Sequence, residues 1–111
     1  MKRRPLTQKS SQPSSIRAQQ EELLWLAEHG DVPTLDLHGL STLAAEHELA
    51  QFIHDQSYRR ILVVCIIHGH GTGKIRQVVE TWLKAHPELV SYARPALSQR
   101  GNGAIFAILQ Q

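Results

Sequence analysis

Ile61-Leu62-Val63-Val64-Cys65-Ile66-Ile67 is an apolar run with no polar interruption. A strand with one wet face alternates apolar and polar residues, whereas a strand covered on both faces does not. The run is short and rich in β-branched side chains, so it predicts a strand inside a parallel sheet. It leads into His68-Gly69-His70-Gly71-Thr72-Gly73-Lys74, where glycines end the strand. Beyond them Ile75, Val78, Val79, Trp82 and Leu83 fall at i, i+3, i+4, i+7 and i+8, which predicts a helix from about Lys74 to Ala85. Pro87 stops it.

Upstream, Thr34–His38 reads as a first strand. Ser41 or Thr42 caps a helix running to about Gln56, with Ala45, Leu49, Phe52 and Ile53 at helical spacing. Downstream, Val90–Ala93 and Ala104–Leu109 read as two further strands joined by the turn Ser98–Gly103. Pro95 cannot donate to a ladder and places the former at a sheet edge. The latter is apolar throughout and belongs further inside. The order is β-α-β-α-β-β. Helices of this length between strands imply right-handed parallel crossovers, and the short last turn implies an antiparallel hairpin. The predicted fold is an α/β two-layer sandwich with a mixed four-stranded sheet, both crossover helices on one face, plus an N-terminal helix.

That extra helix is expected over Ala18–His29. Leu23, Leu24, Leu26 and Ala27 are on its apolar side, Gly30 is its stop, and it is expected to pack at the domain edge or on a partner. Residues 1–17, rich in Ser, Gln and Arg, read as a disordered basic tail. Residues 18–31 read as helix and linker, and 32–111 as the folded domain.

The chain has 111 residues, 41% of them hydrophobic, and a net charge of +2. The charge is uneven: residues 1–20 hold five basic and no acidic residues, and the remainder holds seven basic and ten acidic. A basic tail suits a polyanion, nucleic acid being the commonest, and serves equally well as a solubilising terminus. No apolar run approaches the ~18 residues of a membrane span, and no apolar stretch follows Met1-Lys2-Arg3-Arg4, as a secretory signal would require. One cysteine, Cys65, excludes an internal disulfide and fits a reducing compartment. It sits in the apolar run and reads as a core residue. A cytoplasmic protein with no membrane partner is expected.

In a parallel sheet the strand C-termini share one edge, where ligands of open α/β sheets bind. The predicted topology brings Asp36, His38, His68, His70, Lys74, Arg94 and Arg100 to that rim. Asp36 and His38, two apart on a strand, point the same way. Gly69, Gly71 and Gly73, with Thr72 among them, let backbone amides approach a ligand, and the helix that follows begins with a partial positive charge beside Lys74. This pattern suits a phosphate. It is neither a Walker A loop, because only three residues separate Gly69 from Gly73 and Ile75 stands where Ser or Thr is required, nor a dinucleotide fingerprint. The bland alternative is a tight strand-to-helix turn with no ligand.

Histidines can shuttle protons near neutral pH. Cleaving a phosphodiester needs a base for the attacking oxygen, an acid for the leaving oxygen and positive charge for the transition state. His38 with His70 or His68 could take the first two parts, Asp36 could orient His38, and Lys74, Arg100 and the loop amides could supply the third. His68 directly extends the apolar strand, so a core histidine bonded to backbone is its competing reading. His29, His47, His54 and His86 read as surface helix residues. The spacing His68-x-His70 matches no zinc signature and no structural metal is expected. A loosely held catalytic Mg²⁺ or Mn²⁺ is left open.

Taken together, Leu35-Asp36-Leu37-His38-Gly39 and His68–Ile75 resemble the paired motifs of the Smr (small MutS-related) domain family, LDLHG and HGxGxGxL, with Ile75 at the final leucine position. Gly101-Asn102-Gly103-Ala104 resembles a third, looser element, in which Arg100 stands where a further glycine is common. The resemblance covers about residues 32–111 and is nearest to stand-alone bacterial members. It implies a fold like the C-terminal domain of bacterial initiation factor three, nucleic-acid binding and, in many members, endonuclease activity on DNA or on RNA, including messages on stalled ribosomes. It carries functional weight onto Asp36, His38, His68, Gly69, Gly71 and Gly73. The leading expectation is an RNA or DNA endonuclease in which Asp36, His38 and His70 are catalytic. His68, Gly69, Gly71, Thr72, Gly73, Lys74, Arg94 and Arg100 would bind the phosphate backbone. The alternative is a non-catalytic nucleic-acid or ribosome-binding module.

Overall fold

The computed structural model describes residues 13–97 and 103–111. Its elements are α1 (Pro13–Glu28), β1 (Thr34–Asp36), α2 (Thr42–Tyr58), β2 (Val63–Ile67), α3 (Lys74–Ala85), β3 (Val90–Pro95) and β4 (Ala104–Leu109). The sheet order is β1-β2-β4-β3. β1 runs parallel to β2, with Leu35 opposite Ile66, and β4 is antiparallel to both β2 and β3. β1, β2 and β3 therefore point one way and end on one rim. The mixed four-stranded sheet is the one expected, with β3 at its edge and β4 inside, buried at every residue.

The uninterrupted apolar runs have a simple cause. Val64 and Ile66 of β2 and Ile105, Ala107 and Leu109 of β4 face one way, into a core with Leu37, with Ala45, Leu49 and Ile53 of α2 and with Val79, Trp82 and Leu83 of α3. The alternate residues, Val63 and Cys65 of β2 and Ala104, Phe106 and Ile108 of β4, face a second core with Leu24 and Ala27 of α1. Each fully buried Leu, Ile or Phe contributes about 1.5–3 kcal/mol. A strand covered on both sides gains this at every position.

Two expectations about α1 are corrected. The helix begins at Pro13, ahead of Ala18. Proline suits a first helical turn, where its φ is pre-set and its missing N–H is not needed. Nor does α1 pack at an edge: it covers the sheet face opposite α2 and α3, adding a third layer. Much of its attachment is polar. Arg94, on β3, pairs with Glu21 at 2.6 Å. The Tyr92 hydroxyl also donates to Glu21, and Arg17 Nε donates to that hydroxyl at 3.0 Å. The bond from Tyr92, with the Arg94 guanidinium, holds the Glu21 carboxyl below the usual carboxylate range. Residues 1–12, the greater part of the expected tail, lie outside the described residues.

Both crossover helices lie on one face, as expected, and both start at the rim. Ser41 caps α2, its Oγ accepting from Ala44 N at 3.1 Å. α3 is capped by Gly73 in the left-handed region, which offers no side-chain acceptor. At the far end of α3, His86 stacks on Trp82 with ring centroids 3.8 Å apart, so it is half-buried and not a plain surface residue. Strand bounds differ slightly from expectation: β1 stops at Asp36 and β2 starts at Val63, while β3 runs on to Pro95. No described helix is long and apolar enough to cross a membrane.

Candidate functional site

β1 ends where the chain must turn. Leu37 still donates to Ile67 O at 2.7 Å and is fully buried. Gly39 then takes a positive φ of 81° and a turn closes from Leu40 N to Leu37 O. The turn leaves the Asp36 and His38 side chains in contact at the rim. Asp36 Oδ1 accepts from His38 N at 3.0 Å and meets His38 Nδ1 at 2.6 Å. A carboxylate only accepts, so Nδ1 carries a proton towards it, and in the neutral ring Nε2 is the nitrogen with the lone pair. The His38 side chain is 69% exposed. The two bonds from His38 hold the Asp36 carboxyl below its ordinary range.

β2 ends against the start of β4. His68 N and Gly69 N both donate to Gly103 O, at 2.8 and 3.0 Å. Gly69 has φ +83°, and a Cβ there would lie 3.0 Å from His38 Cβ. The two motifs of the sequence therefore touch, and only glycine permits it. Gly103 is approached by the ring of His70, whose Nε2 would lie 3.1 Å from a Cβ there. From Gly69 the loop crosses the rim to Gly73, and the first turn of α3 opens towards it with Lys74 and Arg76.

Together these segments enclose a groove of about 560 Å³. Its lining includes His38, His68 and His70, the loop from Gly69 to Gly73, Lys74, Arg76, Leu40 and Gly103, and no carboxylate among the described residues. The helix N-terminus adds about half a positive charge and inward-turned backbone amides, of which Lys74 N also donates to Thr72 Oγ1 at 3.4 Å. The groove can therefore hold an anion at its α3 end while two imidazoles face its interior.

The expected site residues divide. Asp36, His38, His70, Gly69, Gly71, Thr72, Gly73 and Lys74 come together. Gly71 does not share the positive φ of Gly69 and Gly73. His68 is placed differently: the residue is 5% exposed and Nδ1 donates to Gly69 O at 2.8 Å. Burial lowers its pKa, and the bond from Nδ1 to Gly69 O braces the loop. Arg94 is absent from the groove. It shares strand parity with Tyr92 and faces α1, where Glu21 engages it and its side chain is 9% exposed. Tyr92 is held there as well. Arg100 lies outside the described residues.

Arg76 and Leu40 were not singled out from the sequence, and Gly103 only as a member of the third, looser motif. Arg76 is in the same first helical turn as Lys74, which was the available signal. It bonds Glu80 at 3.1 Å. A divalent cation prefers several oxygen ligands. The groove lining offers none from a carboxylate, and one oxygen of the adjacent Asp36 is committed to His38. No cluster of three or more His, Cys, Asp or Glu suited to a metal occurs among the described residues. Among the described residues the donor set does not fit a protein-held Mg²⁺ or Mn²⁺.

Comparison with known proteins agrees with this geometry. The Smr domain family matches residues 35–110. The ribosome rescue factor SmrB of Tolumonas auensis is 34% identical over 77 residues, which are 69% of this chain and 44% of that protein. SmrB of Photorhabdus laumondii is 30% identical over 76 residues, 68% of this chain and 43% of its own. The chain thus spans less than half the length of these relatives. The crystal structure of the Smr domain of Thermus thermophilus MutS2 superposes with a TM-score of 0.68 at 26% identity, covering 72% of this chain and all of that one. The stand-alone small MutS-related protein YdaL of Escherichia coli shares the fold, with a TM-score of 0.70 at 24% identity, covering 82% of this chain and 76% of its own. The paired motifs, the sheet order and the matched segment agree: this chain belongs to the Smr domain family.

Proposed function

We propose that the domain binds the phosphodiester backbone of nucleic acid in the rim groove, on RNA associated with the ribosome. One observation carries this: the α3 N-terminus, whose cap residue Gly73 brings no side-chain acceptor, and Lys74 and Arg76 open into the same groove as His38 and His70, which no carboxylate among the described residues lines. A phosphate at the first turn would meet backbone amides, the helix dipole and two cations. The family supports nucleic acid as the ligand, and the SmrB relatives, named ribosome rescue factors, support the ribosomal setting, which would put the protein in the cytoplasm. Fluorescence anisotropy with labelled single-stranded RNA and DNA at several salt concentrations tests it. Lys74→Glu should weaken binding and lower the salt slope by about one. Unchanged affinity would remove the groove from the interface.

A second reading, endonucleolytic cleavage, is favoured by the 2.6 Å Asp36–His38 contact. Asp36 fixes the tautomer that leaves Nε2 of His38 free to take a proton from an attacking oxygen. His70 would return a proton to the leaving oxygen, and the amides with Lys74 would stabilise the charge on phosphorus. The proton and the charge are accounted for within the chain's own residues. Incubation of RNA and DNA with wild type and His38→Ala, with and without EDTA, separates the readings. Cleavage abolished by the substitution supports catalysis; binding without turnover in the wild type leaves the groove a binding site only.

A further inference from the structure

On the face of the sheet opposite α2 and α3, α1 ends at Glu28, whose side chain is 2% exposed. A carboxylate buried this far needs partners. Arg94 Nη1 is 3.9 Å away, but that guanidinium has a closer partner in Glu21, at 2.6 Å. The contact peculiar to Glu28 is with the backbone: Leu97 N–H donates to its carboxylate. Charge pairing alone would hold α1 through Glu21, so Glu28 adds a tether to the chain just beyond β3.

That tether leads back to the groove. The N–H of Ala96, the residue before Leu97, donates to Ala104 O at 3.0 Å. Gly103, the residue before Ala104, accepts from His68 N and Gly69 N. Gly69 lies against His38, and Gly103 against His70. Each hydrogen bond in the series is joined to the next through adjacent residues, all of them described. Ala96 and Ala104 are buried, so this part of the chain has little room to move independently.

We propose that Glu28 is a positioning residue for the rim groove: by holding Leu97 it fixes the Ala96–Ala104 pair and, through Gly103, the seat of both groove histidines. α1 is thereby a control element for the site on the other side of the sheet, and a partner that lifts its C-terminal end would loosen the groove. The inference rests on the groove being the binding site. Contiguity alone does not establish coupling, so the test separates coupling from mere stability. Glu28→Ala removes the acceptor for Leu97, Glu28→Gln keeps an acceptor oxygen, and Glu21→Gln weakens the Arg94 pair without touching Leu97.

Two readouts are taken on each folded variant: amide chemical shifts of Gly69 and Gly103 without ligand, and affinity for a short single-stranded oligonucleotide. Glu28→Ala should shift both amides and weaken binding about fivefold, the worth of one net hydrogen bond. Glu28→Gln should restore both, and Glu21→Gln should lower the melting temperature with affinity unchanged. Should Glu28→Ala fail to fold, Leu97→Pro removes the donor from the other side and should give the same shifts and weakening. Unmoved Gly69 and Gly103 amides in Glu28→Ala, or equal affinity losses in Glu28→Ala and Glu21→Gln, overturn the proposal. Wild type that binds no oligonucleotide, with the amide shifts still present, overturns the groove assignment and leaves the coupling standing.

Discussion

Gly69→Ala perturbs the point at which the two motifs meet, and its cost can be worked from local geometry. Gly69 sits at φ +83°, where an L-residue is strained by about 1–2 kcal/mol. The new Cβ would also lie 3.0 Å from His38 Cβ and 3.7 Å from His38 Cα. Neither is the far end of a flexible side chain, so the strand end or the loop must give. Overpacking of this kind costs about 1–3 kcal/mol. Loss of glycine's freedom in the unfolded chain returns about 0.4–1 kcal/mol. The net is a destabilisation of about 3 kcal/mol, a melting point lower by about 15 °C in a domain of this size. Gly71→Ala is the control, because its φ is not positive and a Cβ there meets nothing within 4 Å. It should be neutral or slightly stabilising. Urea unfolding followed by circular dichroism measures both. Equal stability of Gly69→Ala and wild type, or equal losses at the two positions, would refute the claim that close approach dictates glycine at 69.

Three further outcomes are expected. Burial depresses the folded-state pKa of His68, so the unfolded chain takes up its proton first as pH falls; stability should decline from about pH 6.5 downward, and His68→Gln should flatten that limb of the unfolding profile. The Asp36 carboxyl, held low by His38, should titrate below the ordinary aspartate range by carbon NMR and move back towards it in His38→Ala. Arg60 has φ 63° at the end of α2, with its N–H bonded to Ser57 O and that of Ile61 to Gln56 O; this is the helix-ending arrangement that favours glycine, so Arg60→Gly should stabilise the domain by up to about 1 kcal/mol by urea titration.

The central sheet was legible because its signal is chemical. Only a strand covered on both faces carries Val63–Ile67, and Pro95 marks an edge wherever it falls. The bounds of α3 were legible because glycine precedes it and its apolar stripe is sharp. The place of α1 was not: its buried face offers few apolar residues, and its hold depends on Arg94, Tyr92, Glu21 and Glu28, which read in sequence as ordinary polar residues. Arg94 misled for the same reason. Topology puts its strand end on the rim, but parity with Tyr92 points its side chain at α1, and which face α1 covers is a tertiary fact. For His68 the sequence left two readings open, and burial with the bond to Gly69 O favours the bracing one. The role of Gly103, named only as part of a motif, was hidden because it depends on two amides and an imidazole from residues more than thirty positions away in the chain.

The most direct test of the groove as the nucleic-acid site is a titration of isotope-labelled protein with a short single-stranded oligonucleotide, followed by amide and imidazole shifts. The account predicts the largest changes at Gly69 to Arg76 and in the rings of His38 and His70, with the outer residues of α1 unmoved. Changes confined to α1, or spread over basic residues elsewhere with the loop and both rings silent, would contradict it.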